Sequence, residues 1–187
     1  TGTLTRGQPS VTATHALDCQ TGAECPRCDD VLALANAVET RSAHPLARAV
    51  VEAAERRGVD SAYAPAEAVA SLAGRGVQGR VNGKLITVGS HALFDAQYPH
   101  DQALCAEVSA VEGRGQTTML IAEDERVRGY ISVEDTPRPE SAAVLRDLRA
   151  LGQHTIMLTG DNAAVAHAIA DQIGVDEVRA DLLPEDK

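Results

Sequence analysis

Hydrophobic positions along the chain follow two different periods. Val31, Leu34, Ala35 and Val38 recur at helical spacing and predict a helix over 29–41. Ser42-Ala43-His44-Pro45 interrupts it. Pro45 suits the first position of a second helix over 45–57, with Leu46, Val50, Val51 and Ala54 inward and Gly58 as its stop. The signal then turns to β-structure. Runs over 70–81 and 84–88 flank Asn82-Gly83, a dipeptide that accepts the positive φ of a two-residue hairpin turn. Residues 93–94 and 101–112 read as helical, and 117–122 with 127–133 as a second strand pair turning through 123–126. After Pro139 helix and strand alternate: helix over 140–151, strand over 155–158, helix over 163–173, short strand over 177–180. Residues 11–17 read as a short extended connector, and Thr21-Gly22-Ala23 with Pro26 as a loop.

That order predicts an α/β chain in two parts. The alternating pattern implies a parallel sheet with crossover helices, built from 1–12 and 128–187. An inserted α+β domain with a mainly antiparallel sheet fills 13–127. Residues 1–5 read as the exit from a strand whose body lies upstream, and the chain reads as a piece of something longer.

Composition narrows the partners. An apolar share of 44 % supports a packed core, but with Phe94, three Tyr and no Trp that core must come from Ala, Val, Leu and Ile. A net charge of -10 argues against nucleic acid and anionic membranes. No apolar run approaches the roughly 20 residues of a membrane span, and no signal peptide is visible. These residues are therefore expected to be soluble and to make no membrane contact themselves.

Cys19, Cys25 and Cys28 crowd into the polar segment 18–30. Without a secretory signal, structural disulfides are the weaker reading. Cys25-Pro26-Arg27-Cys28 has spacing that can bind Zn²⁺ or Cu⁺, with Cys19 as a third ligand. A CxxC without a second pair is not diagnostic, and the plainer reading is a loop whose thiols are free or incidentally paired. Cys105, on a helix, is expected in the core; His15, His91, His100, His154 and His167 show no metal-like clustering.

The candidate chemistry sits at strand ends. Thr159-Gly160-Asp161-Asn162 lies between a strand and a helix, where Thr159 offers a hydroxyl, Gly160 a close backbone, Asp161 or Asn162 a cap, and the helix start its N–H groups. Alone, this fits an ordinary strand-turn-helix. Thr1-Gly2-Thr3-Leu4-Thr5 is a second small hydroxyl-and-glycine loop at a strand end, and Lys187 adds a cation. Together they make three sides of a phosphate pocket.

With those residues assembled, the chain resembles the P-type ATPases of the haloacid-dehalogenase-like superfamily. Residues 1–5 are similar to the tail of the Asp-Lys-Thr-Gly-Thr-Leu-Thr signature, and 157–162 to the Thr-Gly-Asp loop. Residues 182–187 are similar to the segment ending in the phosphate-site Lys, and Asp135-Thr136-Pro137-Arg138 to the stretch where an insert rejoins the core. Ser42-Ala43-His44-Pro45-Leu46 resembles the His-Pro motif of the heavy-metal-transporting class, with Ala43 where an acidic residue is common.

The resemblance implies a partial haloacid-dehalogenase-like, Rossmann-like domain carrying an inserted nucleotide-binding domain. It implies ATP and Mg²⁺ as substrate and cofactor and an aspartyl-phosphate intermediate. Thr159 would hydrogen-bond the phosphoryl group, Lys187 would neutralise it, the Thr1 carbonyl would help hold Mg²⁺, and Thr3, Gly160 and Asp161 belong to the same loops. In the insert, His44 would pack on or bond the adenine and Glu39 would accept from its exocyclic amine. The plainer reading leaves His44 as a helix cap and Glu39 solvated. Gly74, Gly76 and Gly89 resemble the family's Gly-x-Gly…Gly pattern, where missing Cβ atoms let a ligand lie on the backbone. Gly83 is explained by the turn and Gly79 by a bulge.

The implied parent is an integral membrane protein of the plasma membrane, with these residues on its cytoplasmic side and a heavy-metal cation as cargo. The family nucleophile would stand before Thr1 and the Mg²⁺-binding carboxylate loop after Lys187, so these residues are expected to bind nucleotide without turnover. Two alternatives stay open: a soluble phosphatase of the same superfamily, and a non-catalytic metal-sensing module built on the Cys loop.

Overall fold

A computed structural model describes residues 2–19, 25–72, 74–182 and 186. The chain divides into two compact units, one of residues 1–9, 109–117 and 134–187, the other of 10–108 and 118–133.

The second unit is built on a six-stranded sheet. Its strands are β1 (Ser10–Ala16), β2 (Glu67–Leu72), β3 (Gly76–Val81), β4 (Lys84–Gly89), β5 (Thr117–Glu123) and β6 (Arg126–Glu134), in the order β1-β6-β5-β4-β3-β2. Asn82 and Gly83 have φ of 51° and 80° and join β3 to β4 with Val81 opposite Lys84, as the dipeptide predicts. The β5–β6 turn is shorter than expected, because Asp124 takes φ 53° and closes it through two residues.

Three expectations change here. The run over 70–81 is two strands, not one, because Gly74 at φ 71° reverses the chain and sets Leu72 opposite Gly76. Residues 11–17 are no connector: β1 is an edge strand of the sheet, and the Leu17 N–H donates to the Arg128 carbonyl. Gly79 is not a bulge. It pairs regularly with Ile86, and the irregularity lies opposite, between Glu67 and Ala70 of β2. A bulged, exposed strand at the sheet edge discourages pairing with another chain.

Helices cover both faces. α1 (Pro26–Glu39) packs against β1, β3 and β4, and α2 (Pro45–Arg57) packs against α1 and β1. Every residue of α1 from Val31 to Glu39 is buried, so its apolar surface is not a stripe but nearly the whole helix. α1 begins three residues earlier than its hydrophobic period predicts. Pro26 occupies its first turn and the Cys25 side chain accepts from the Cys28 N–H, so Pro26 belongs to the helix and not to a loop. The neighbouring Thr21-Gly22-Ala23 lies outside the described residues. α2 has the expected bounds, with Pro45 at its start and Gly58 at φ 67° as its left-handed stop.

On the opposite face lie α3 (His91–Gln97) and α4 (Gln102–Glu112). Alternation along β4 turns Ile86 and Val88 toward α1 and Thr87 the other way, where the Tyr98 hydroxyl meets it at 2.8 Å. With both faces covered, the middle of β5 reads as a continuous buried run, Thr118 to Ala122. Phe94, stacked on Tyr98, is the largest fully buried side chain, and Ala, Val, Leu and Ile supply most of the rest.

The other unit contains α5 (Ser141–Ala150), β7 (Ile156–Leu158), α6 (Ala163–Ile173) and β8 (Glu177–Arg179). β7 and β8 pair in parallel with α6 between them in sequence, the unit the alternation predicts. The compact units part at 9/10 and 133/134, and residues 109–117 group with the helical unit.

β1 meets β6 closely at Gly129, where a Cβ would overlap the His15 carbonyl oxygen and lie 3.0 Å from Ala16 Cα. Both obstacles are backbone and cannot rotate away. Gly129→Ala is expected to cost about 2–4 kcal/mol in urea unfolding, through separation of β1 from the sheet. An alanine variant as stable as the parent would contradict this register.

Candidate functional site

Each unit carries part of the chemistry. In the sheet unit it gathers where α1 ends and α2 begins. Glu39, the last residue of α1, is 6 % exposed although it is a carboxylic acid. Burial pushes its pKa from 4.5 up to about 7, and the Ser42 side chain, hydrogen-bonded to it, partly offsets that rise. The solvated Glu39 of the plainer reading is therefore not what the fold provides. Ser42 also turns to the next residue of interest: its hydroxyl accepts from the His44 N–H at 3.3 Å. His44 is the N-cap of α2, with Nδ1 accepting from the Leu46 N–H at 3.3 Å, and its side chain is exposed. The cap role uses one ring nitrogen and leaves the ring face open. Ser42 thus joins Glu39 to His44, a link that the Ser-x-His spacing carried without its role being read from it.

Gly76 and Gly89 stand on β3 and β4, and Gly74 in the turn before them. Gly76 pairs with Gly89 across β3 and β4. A Cβ on Gly76 would overlap the Val88 carbonyl oxygen and come within 2.7 Å of Gly89 Cα. On Gly89 it would meet the Leu93 side chain and lie 3.0 Å from the Arg75 carbonyl oxygen. Close strand approach therefore already requires both glycines, whatever else lies on them. Gly74 is exposed and left-handed, in the turn between β2 and β3.

In the helical unit Thr159 is buried at 3 % exposure, at the end of β7. Its hydroxyl donates to Asp161 at 2.7 Å and accepts from the Asp161 N–H at 3.1 Å. Asn162, not Asp161, caps α6, accepting from the Val165 N–H at 2.9 Å. The Thr159 carbonyl accepts from the Leu182 N–H, and the Asp161 carbonyl from the Asp181 N–H. The chain after β8 therefore runs beside this loop, while Gly160 stays exposed. Thr1 and Lys187 lie outside the described residues.

Asp135 is the residue that sequence reasoning passed over as a junction marker. Its carboxylate accepts from the Thr5 hydroxyl at 2.6 Å, from the Gly7 N–H at 3.2 Å and from the Gln8 N–H at 3.3 Å. Arg138 adds a clamp, donating to the carbonyls of Thr3 and Gly2 at 3.1 and 3.3 Å, and Ser141 donates to that of Leu4 at 2.9 Å. The loop carrying Thr3 is thus held by the stretch 135–141. The signal available was an Asp and an Arg three apart around a proline, opposite a Thr-Gly-rich loop needing acceptors and donors.

The thiols of Cys19 and Cys25 lie 3.0 Å apart and those of Cys25 and Cys28 3.2 Å apart, at the start of α1. Cys28 is fully buried, and its thiol is pushed up to about 11, chiefly by burial and then by its bond to Cys25. Cys105 is half-buried rather than core, and it stands with His91, Asp95 and His100 in a second group of metal-ligating side chains, contrary to the absence of clustering expected for the histidines.

Known proteins resemble this chain along its whole length. The haloacid dehalogenase-like hydrolase family matches residues 1–187. The probable copper-exporting P-type ATPase V of Mycobacterium tuberculosis is 40 % identical over 188 residues, covering 100 % of this chain and 23 % of its own length. A zinc-transporting PIB-type ATPase in the E2.Pi state is similar at 38 % identity and a TM-score of 0.64, over 100 % of this chain and 28 % of that one. The catalytic domain of the CPx-ATPase CopB-B, studied upon nucleotide binding, is similar at 25 % identity and a TM-score of 0.71, covering 100 % of this chain and 60 % of that one. The chain spans about a quarter of the length of the curated relatives it matches. It belongs to the haloacid dehalogenase-like hydrolases, and along its whole length it matches the heavy-metal-transporting P-type ATPases.

Proposed function

We propose that these residues are the ATP-binding region of a heavy-metal cation-transporting P-type ATPase, a plasma-membrane protein whose cytoplasmic side they form. The insert, 13–127, is the nucleotide-binding domain, and 1–12 with 128–187 are parts of the phosphorylation domain. The observation that carries the reading is the Glu39–Ser42–His44 chain: a buried carboxyl, a hydroxyl that bonds both it and the His44 backbone N–H, and an exposed imidazole at one helix break. A buried acid with a displaced pKa, next to an open aromatic ring, suits an adenine, which offers an exocyclic amine to accept from and a ring to stack on. Gly74, Gly76 and Gly89 keep the neighbouring backbone free of Cβ atoms.

The phosphoryl group would be held by Thr159, Gly160 and the Thr3 loop, with Lys187 as its counter-charge. In the whole protein ATP hydrolysis would pass through an aspartyl phosphate and drive metal export. Neither described candidate carboxylate is set up to be that nucleophile. Asp135 is engaged by Thr5, Gly7 and Gln8, and Asp161 by Thr159. Nucleotide binding without turnover is the activity assigned to these residues. Mg²⁺ would supply charge neutralisation at the phosphates; the ligand expected for it on this chain, the Thr1 carbonyl, lies outside the described residues.

The soluble-phosphatase alternative does not require the Glu39–Ser42–His44 chain. A metal-sensing module is favoured by one observation, the convergence of Cys19, Cys25 and Cys28. It predicts metal binding lost in Cys25→Ser and no affinity for adenine nucleotides.

Calorimetric titration separates these readings. ATP is expected to bind weakly and without a need for Mg²⁺. His44→Asn keeps a good N-cap but removes the ring, and is expected to weaken ATP about 3- to 10-fold. Glu39→Ala is expected to weaken it about 10- to 100-fold. ATP binding equal to that of the parent in both variants would sink the assignment. Gly76→Ala is a poor probe, since it would break the β3–β4 pairing itself.

Glu39 also sets a pH dependence of stability. Its folded pKa of about 7 lies above the ordinary 4.5, so the folded chain binds the extra proton between those values. Its contribution is fully present below about pH 4.5 and is lost as pH rises to about 7. Glu39→Gln, which cannot ionise, is expected to be more stable than the parent by about 3 kcal/mol at pH 8, with the difference vanishing toward pH 4.5. Urea unfolding at both pH values checks this; a difference of the same size at both would remove ionisation as its cause.

A further inference from the structure

We propose that His91, Asp95, His100 and Cys105 form a four-ligand site for a divalent cation of the Zn²⁺ class. His91 and Asp95 are one helical turn apart on α3, His100 lies in the segment after it, and Cys105 is in the first turn of α4. Their ligand atoms all lie within 4.8 Å of one another.

The spacing comes close to that of a coordination shell. A tetrahedral ion with bonds of the usual Zn–N, Zn–O and Zn–S lengths has ligand–ligand edges of about 3.3–3.8 Å. Here Asp95 Oδ1 is 3.4 Å from His91 Nε2 and 3.2 Å from His100 Nε2. Cys105 Sγ is 3.1 Å from His100 Nε2 and 3.6 Å from Asp95 Oδ1.

The protons point the same way. His100 Nδ1 lies 2.7 Å from the Tyr98 carbonyl oxygen, which can only accept, so Nδ1 carries the hydrogen. In the neutral ring Nε2 then presents its lone pair to the cluster. This is the outer bond that commonly fixes a ligating histidine. The lone pair faces a carboxylate oxygen at 3.2 Å, and the single Cys105 S–H cannot satisfy both acceptors at once. A cation at the centre resolves that contact. The His100 side chain is 5 % exposed and that of His91 13 %, so the two imidazoles are shielded from water while Asp95 faces the open side.

The donor set selects the ion. Two imidazoles, one carboxylate and one thiolate suit Zn²⁺, whereas Mg²⁺ and Ca²⁺ take oxygen and Cu⁺ prefers sulfur. With Asp95 and the Cys105 thiolate each carrying one negative charge, a divalent ion leaves the site neutral. A groove of about 460 Å³ lined by Pro99, His100, Asp101, Leu104 and Glu107 gives it a way in. Binding would staple α3 to α4.

The test titrates Co²⁺ and then Zn²⁺ into the 187-residue chain carrying C19S, C25S and C28A, which removes the other sulfur cluster. One equivalent of Co²⁺ is expected, with a thiolate-to-cobalt absorption band and the intense visible bands of a tetrahedral ion, and Zn²⁺ should displace it. C105S should abolish the thiolate band, and H100A should weaken Zn²⁺ at least tenfold. Zn²⁺ should raise the Tm of the starting chain and leave that of H100A unchanged. Asp95 is 52 % exposed, so D95N leaves the core alone and should likewise weaken Zn²⁺ at least tenfold should C105S or H100A fail to fold. No Co²⁺ uptake, or uptake undiminished in folded C105S or in D95N, would overturn the site and leave a proton in the cation's place.

Discussion

At Gly129 the backbone of β6 lies against the His15 carbonyl, with no space for a side chain between them. That contact holds β1 in the sheet, and much else follows. β1 is one of the strands on which α1 packs, and α2 packs on it as well. α1 is buried from Val31 to Glu39, so it needs a surface on nearly every side. Remove β1 and the helix loses one wall. The same economy recurs at Gly76 and Gly89, where two strands carrying proposed ligand-facing glycines close on each other. A glycine at such a seam serves the sheet first. Any role toward a ligand is added to a position the fold had already restricted.

Glu39 expresses the opposite tension. Packing α1 this tightly carries its last side chain out of water, and the acid resists ionisation as a result. A fold under selection for stability alone has no use for a carboxyl there, since glutamine would fit the same space without the cost of charge. The cost makes sense if an occupant supplies what water no longer does. Ser42 supplies part of it, and ties the acid to the helix cap at His44.

What the sequence made legible were elements whose boundaries are set locally. Pro45 and Gly58 bracket α2 because one fixes φ and the other accepts a left-handed stop; Asn82-Gly83 fixes the hairpin register for the same kind of reason. β1 escaped because an exposed edge strand carries little apolar alternation. The break between β2 and β3 escaped because its flanks read as one extended run, and the start of α1 because Cys is an unusual cap. The candidate site divides in the same way. Thr159 and Asn162 could be read at a strand-to-helix turn, but Asp135 could not. Its partners, Thr5, Gly7 and Gln8, are more than a hundred residues away in sequence. The group of His91, Asp95, His100 and Cys105 is harder still, since two helices and the segment between them must fold before its four ligand atoms meet.

The two units meet their hydrogen-bonding needs in different ways, and this bears on how function is divided. Around Thr159 and around Thr5 the polar side chains are spent on backbone: Asp135, Arg138 and Ser141 hold the loop 2–8, while Thr159 and Asp161 bind each other. Such loops are pre-set, as a phosphoryl-transfer site requires if its donors are to cost no reorganisation when charge develops. At the helix break of the sheet unit the polar groups are only partly spent. The His44 ring caps through one nitrogen and is otherwise exposed, and Glu39 is buried with an ionisation still to be stabilised. A site that completes its own bonds holds its geometry, whereas one that leaves an acid and a ring incompletely engaged gains from a ligand. On that physical ground, the proposed nucleotide affinity would belong with Glu39 and His44, and the proposed positioning with Thr159 and the loop that Asp135 holds.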